Sequence, residues 1–431
     1  MRKSQPKKPV GPLDSLRTLI NAFRKKKDLR TIIIFSSLAL VLCIVVLIFT
    51  GEERSFIGVI YNLVHSFALF FTSALLIAII NYIFLPFEDK DKVCTNNDSI
   101  EEFYGEHYIK ELKINDSTGN FHYESLFDIC EDGADREIEI VDSLNRFELD
   151  PLIRNHCFEI LAAHENSNIG NFITLRIAGF EKSDSGIVVK TERSNYISHM
   201  LTNRAIDYQI SGRISLRDLF EYNPTISSLE KSKFSNHTGL IGMIFIENGK
   251  YTLFPQRDTT STISKNMLTS GLAAAFRLDS IKSNSNLSHK STTPFKEEVM
   301  ERLPRAMKII DKFDRIKDKI DITLVGIGRD VYEGGKPAFF YRIDVDITLN
   351  EFFELSCKCE NCIKRDQCKG GLDFNKRICV AEYSTIKVDK ECNTLSFNSF
   401  FNKKDGKIVQ KNLKLEAEKN LISNLWHLNN K

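Results

Sequence analysis

Two stretches of the chain carry no charged residue for long enough to dominate its pattern. From Thr31 to Thr50 the sequence runs TIIIFSSLALVLCIVVLIFT, twenty residues of which fourteen are Ile, Leu, Val or Phe. At 1.5 Å rise a helix of that length spans the roughly 30 Å hydrocarbon core of a bilayer, and its insertion is favoured by about 4 to 8 kcal/mol. A second uncharged run, Ile57 to Phe84, stops before Pro86 and is separated from the first only by GEERSF. The pattern predicts a two-helix transmembrane hairpin over residues 31–86. A signal peptide has a shorter apolar stretch and a small-residue cleavage site, which is not found ahead of the second run.

Residues 87–165 mix acidic, helix-forming stretches with turn signals such as DSTGN and EDGAD, and are expected to form a mainly helical connector. Period-two, strand-like segments then begin at NFITLRIAGF and SGIVVKT. The clearest local signal is GLIGMIFIENGKYTLFPQR, residues 239–257, in which two β-rich runs are joined by Asn248 and Gly249. Asn-Gly supplies the positive φ values of a tight hairpin turn. A second strand pair, ITLVGIGRDVYEG and AFFYRIDVDI, is joined by Gly335, Lys336 and Pro337, and the acidic helix PFKEEVMERL lies between the two pairs. This order suits an α+β domain with a mixed sheet beside a helix, assigned to residues 166–431.

Charge changes the picture only at one end. Lys plus Arg number 59 and Asp plus Glu 57, a net of +2, so no long nucleic acid is expected as a partner. Residues 1–30 hold ten Lys/Arg against two Asp, a net of +8, which leaves −6 on the other 401 residues. Cations before the first apolar run and few after it predict, by the positive-inside rule, that both termini face the cytoplasm. Cys357, Cys359, Cys362 and Cys368 fall in CKCENCIKRDQC, within a loop at 355–371. Four thiolates at that spacing suit a tetrahedral structural zinc ion; an iron–sulfur cluster and unliganded thiols are the alternatives, and Cys379 or Cys392 could replace one ligand.

The run SKFSNHTGLIGMIFIENGKYTLFPQRD, leading into LTSGL and then the acidic helix, resembles a Nudix-fold domain of a divergent branch over about residues 170 to 425. With two membrane helices ahead of it, the chain resembles the transmembrane-Nudix effectors of CBASS, the bacterial cyclic-oligonucleotide-based antiphage signalling system. That resemblance implies two N-terminal transmembrane helices followed by a Nudix-like mixed α/β sandwich with a cysteine-rich insertion. It also implies a multi-pass, homo-oligomeric protein of the bacterial inner membrane. Such a protein binds a cyclic oligonucleotide messenger, then disrupts the lipid bilayer and aborts infection.

Catalytic Nudix enzymes cluster carboxylates on one helix to hold Mg²⁺ against a pyrophosphate. Here the helix reads Glu297, Glu298, Val299, Met300, Glu301, Arg302. Glu298 and Glu301 fit two carboxylate positions, but Arg302 replaces the last Glu, and Arg277 stands where the Glu beyond Gly271 belongs. An arginine inside a metal cluster repels the ion, so Mg²⁺ is not expected and the domain reads as a binding module, not an enzyme. The alternative is a membrane-anchored Nudix hydrolase of nucleoside diphosphate derivatives. For a receptor, Arg257, Lys265, Ser270, Gly271 and Arg277 surround the expected nucleotide cleft, and Tyr332 and Phe340 are candidate stacking partners for bases.

Overall fold

The computed structural model describes residues 100–429 apart from 101–102, 115–116, 165–169, 185, 211–213, 223, 258–266, 280–281, 357–377, 390–393 and 403–407. The chain divides into two compact units, Met1–Asp89 and Lys90–Lys431. The first lies outside the described residues.

In the second unit β1 (Ile109–Ile114) and β2 (Ser117–His122) pair antiparallel, followed by β3 (Glu124–Asp128) and β4 (Ile138–Arg146). β5 (Ile173–Ser183) and β6 (Gly186–Asn195) form a long antiparallel pair, and β7 (Gln209–Ile210) and β8 (Ile214–Ser215) a short one. β9 (Gly239–Ile246) and β10 (Tyr251–Pro255) make the expected hairpin. β11 (Leu272–Ala275), β12 (Arg277–Leu278) and β13 (His289–Ser291) precede helix α1 (Lys296–Ala306). β14 (Ile320–Asp330) and β15 (Lys336–Val345) are the second expected pair, followed by α2 (Leu349–Ser356). β16 (Ile378–Glu382), β17 (Lys387–Val388), β18 (Thr394–Asn402) and β19 (Ile408–Glu416) lead to α3 (Lys419–Asn429).

A ten-stranded sheet follows the path β17-β18-β16-β10-β9-β15-β14-β3, with β11 also on β9 and β19 on β18. A five-stranded sheet has the order β12-β5-β6-β4-β13. All eight residues of β9 are buried, as expected of a central strand covered on both faces. Its alternation divides them between two cores. Leu240, Ile244 and Ile246 pack with Val299, Leu303 and Met307 of the α1 segment and with Ile138, Ile140, Leu175 and Ile177 of the small sheet. Ile241, Met243 and Phe245 face the other way, against Leu421, Ile422, Leu425 and Trp426 of α3. Helix α1 therefore shares a core with both sheets, and its last turn is brought beside β11.

Both turns differ in detail from the sequence reading. Ile246 pairs with Tyr251, so the first loop has four residues, and Glu247, Asn248 and Gly249 take φ of 52°, 55° and 82°. In the second, Gly334 and Gly335 carry the positive φ values, 63° and 78°, while Lys336 and Pro337 already belong to β15. Asp330 sets that turn by accepting a hydrogen bond from the Tyr332 N–H at 2.9 Å.

Several expectations are corrected. The connector at 87–165 is not mainly helical where described: β1 to β4 lie there, and its helices from Ile129 to Ala162 have at most six residues. Ile138 and Ile140 of β4 alternate into the core and pair in parallel with β6, which overrides the helix propensity of the intervening Glu139. The fold is a mixed α/β one, and among the described residues no helix is long and apolar enough to cross a membrane. The longest, α1 and α3, have eleven residues each, about 16 Å against a core of roughly 30 Å. The hairpin expected at 31–86 lies outside the described residues, and the multi-pass inner-membrane placement with cytoplasmic termini is withdrawn with it. Cys357, Cys359, Cys362 and Cys368 also lie outside the described residues. Among those described, no three His, Cys, Asp or Glu side chains come together to hold a metal ion. Cys379, the expected replacement ligand within the described residues, is buried in β16, and burial pushes its thiol up to about 12.

Candidate functional site

Only Phe276 separates β11 from β12, yet the two strands belong to different sheets, β11 pairing with β9 and β12 with β5. A cavity of about 390 Å³ opens where the chain crosses over. That volume falls within the roughly 300–1,000 Å³ of small-molecule sites. Its walls are Phe172 ahead of β5, the end of β10 through Arg257, the stretch from Thr269 to Ala275, Arg277, and Arg302, Arg305 and Lys308 at the end of α1. Among the described residues five cationic ones line it, and no Asp or Glu does.

Arg257 is the best fixed of the five. Its Nε and Nη2 donate to Glu418 at 2.5 and 3.2 Å, and the Thr269 hydroxyl donates to the same carboxylate at 2.8 Å. Burial opposes the charge on Arg257, but the Glu418 carboxylate outweighs it and holds the guanidinium above its ordinary value. Two of five N–H donors are thereby committed to Glu418. Arg277 lies over the ring of Phe172 at 5.0 Å, and that ring stacks on Tyr196 at 4.9 Å. Arg302 and Arg305, three apart on α1, share a face, and Lys308 follows in the next turn at φ 58°. Cations suit the negative end of a helix dipole. No carboxylate among the described residues reaches ion-pair distance of Arg277, Arg302, Arg305 or Lys308.

Of the residues expected from the sequence, Arg257, Ser270, Gly271 and Arg277 come together on this cavity, whereas Lys265 lies outside the described residues. Ser270 is fully buried and its hydroxyl oxygen has no hydrogen-bond partner among the described residues. Gly271 serves packing: a Cβ there would lie 2.8 Å from Cγ1 of Ile244, so the glycine lets the strand approach β9. Tyr332 and Phe340 do not reach the cavity. Phe340 is in the core, edge-on to Tyr123 at 5.8 Å, and Tyr332 lies beneath the Lys419 ammonium at 4.7 Å.

The carboxylates of α1 stand apart from the cavity. Lys282 meets Glu298 at 2.9 Å and Glu301 at 3.8 Å, and the bond to Glu298 holds the ammonium above its ordinary value. The acidic first turns and the basic last turn thus have different neighbours on one helix. Sequence reasoning missed Phe172, Arg302, Arg305, Lys308 and the Glu418 buttress. Arg302 was visible as a departure from a metal-binding pattern, and the spacing of three to Arg305 was the signal that the two share a face. Glu418 lies 161 residues beyond Arg257, and nothing local links the two. A comparison with protein-family models found no match for the chain, and a comparison with curated proteins likewise found none.

Proposed function

We propose that this chain is a receptor for a cyclic oligonucleotide messenger, bound in the cavity beside β11 and the end of α1, and that it does not hydrolyse its ligand. The observation that carries the reading is the convergence of Arg277, Arg302, Arg305 and Lys308 on a cavity that no Asp or Glu among the described residues lines. A phosphodiester keeps its negative charge across the physiological pH range, and each charge-assisted hydrogen bond to it contributes about 1.5 to 3 kcal/mol. The resemblance to effectors of antiphage signalling makes a messenger produced on infection the natural ligand. The hydrolase alternative needs carboxylates open to Mg²⁺, and the pairing of Glu298 and Glu301 with Lys282 counts against it.

The test is the melting temperature of the full chain with a panel of cyclic di- and trinucleotides. A ligand at 100 times its Kd stabilises by about 2.7 kcal/mol, a shift of several degrees. We expect one or more of the panel to give that shift and Arg302→Ala with Arg305→Ala to abolish it. No shift with any nucleotide overturns the reading, and Mg²⁺-dependent turnover replaces it with the hydrolase.

A further inference from the structure

Among the described residues strand β11 has one neighbouring strand. It pairs with β9 in the register Leu272↔Gly242, Ala273↔Ile241, Ala274↔Leu240, Ala275↔Gly239, and just beyond it the Phe276 N–H donates to the Thr238 carbonyl at 2.9 Å. Hydrogen-bonded pairs alternate along an antiparallel ladder. Leu272, Ala274 and Phe276 therefore turn their backbone groups toward β9, and Ala273 and Ala275 turn theirs to the opposite edge. No other strand among the described residues lies on that edge, and it borders the cation-lined cavity. Ala273 is exposed and Ala275 half-buried, and both side chains are single methyl groups that keep nothing away from the backbone.

A bare strand edge is a row of N–H donors and C=O acceptors, which elsewhere invites another strand. Here Arg277, Arg302, Arg305 and Lys308 line the same cavity, so the complementary occupant carries negative charge together with adjacent donors and acceptors. A nucleotide has both: phosphate for the cations, and a base whose Watson–Crick edge sets a donor beside an acceptor. We propose that the outer edge of β11 reads the base of the ligand, the N–H of Ala273 or Ala275 donating to it and a carbonyl of the same residues accepting from it. This rests on the receptor reading above and adds how the site distinguishes a nucleotide from other phosphates. A backbone edge accepts more than one base but needs a base with an open Watson–Crick edge.

The full chain is titrated with cyclic di-AMP, cyclic di-GMP, ribose 5-phosphate and pyrophosphate, with amide exchange followed across residues 272–276. We expect a cyclic dinucleotide to bind at least tenfold more tightly than ribose 5-phosphate, and to slow exchange at Ala273 or Ala275 where pyrophosphate does not. Ala273→Pro removes an outward N–H at an edge position where proline costs no ladder bond. It should weaken the dinucleotide about two- to tenfold and leave pyrophosphate unchanged, the loss of one neutral hydrogen bond. The wild-type measurements stand whether or not that variant folds. Dinucleotide binding that depends on Arg302 but leaves both amides unprotected overturns the edge reading and spares the receptor. Slow exchange at both amides before any ligand is added means that the chain itself covers the edge, and also overturns it. Absence of binding by either dinucleotide removes the receptor reading for these ligands and this inference with it.

Discussion

Arg217 is a fully buried arginine and Arg302 a half-buried one, and the protein treats them in opposite ways. Arg217 is fully buried and every side of its guanidinium is met: Asp207 at 2.6 and 3.1 Å, the Tyr104 hydroxyl at 3.1 Å, and the carbonyls of Val331 and Tyr332 at 3.1 and 2.8 Å. Arg193 repeats the pattern with Asp142 at 2.7 and 2.8 Å and the carbonyls of Ser283 and Ser285. Arg302, with Arg277, Arg305 and Lys308, lines an open cavity and has no carboxylate among the described residues. A cation taken out of water is costly unless compensated, so the first group is architecture. The second keeps its access to water and leaves its donors for an anion that the described residues do not supply.

The largest expected effect comes from breaking the architectural side. Arg217→Met leaves Asp207 without its bidentate partner and should lower the unfolding free energy by about 3 to 5 kcal/mol in a denaturant titration. A loss below 1 kcal/mol would erase the distinction between the two groups.

Acid should separate the two regions next. His199 and His237 pack with ring centroids 3.7 Å apart, and burial lowers both, His237 to about 3. The unfolded chain binds those protons at about pH 6.5 and the folded one does not, so stability present above 6.5 is lost as pH falls. The loss approaches 1.4 kcal/mol per pH unit for each histidine. Asp330, pushed up to about 6 by burial and by Glu333, works in the opposite direction between about pH 6 and 4 and offsets one of the two. Stability measured by urea unfolding from pH 7 to 5 should therefore fall. No histidine among the described residues lines the cavity, so ligand affinity measured on the folded protein should stay flat from pH 8 to 6; a histidine-like midpoint in affinity would merge the two regions.

Smaller effects sharpen the contrast along α1. Lys282→Ala leaves the buried Glu298 carboxylate without its ammonium partner and should cost about 1 to 3 kcal/mol. It should leave nucleotide affinity unchanged and create no Mg²⁺-dependent hydrolysis, read by phosphate release. Smallest of all, Arg302→Ala and Arg305→Ala should each change unfolding free energy by no more than about 0.5 kcal/mol, because neither has a partner to lose.

The hairpin at 239–257 was legible because its signal is local: apolar alternation on both sides of Asn248-Gly249. β1 and β4 were not, because Glu and Lys between their apolar residues read as helix until β2 and β6 are there to pair with them. The same limit governs the site. Arg257, Ser270, Gly271 and Arg277 lie within twenty-one residues and could be grouped by eye. Phe172 reaches the cavity through the crossing of two sheets, and Glu418 reaches Arg257 and Thr269 from the β19–α3 junction, contacts that no spacing encodes. Arg302 was visible but was read as damage to a metal site, because a pattern looked for in one chemistry hides a residue serving another.

The most direct test is a calorimetric titration of cyclic di- and trinucleotides into the wild-type chain and into Arg302→Ala/Arg305→Ala at matched salt. We expect binding to the wild type and affinity lower by more than a hundredfold in the double variant, as two contacts of about 1.5 to 3 kcal/mol each are lost, with folding intact. Equal affinity in the two proteins, both folded, would contradict the assignment of the unpaired cations to the ligand.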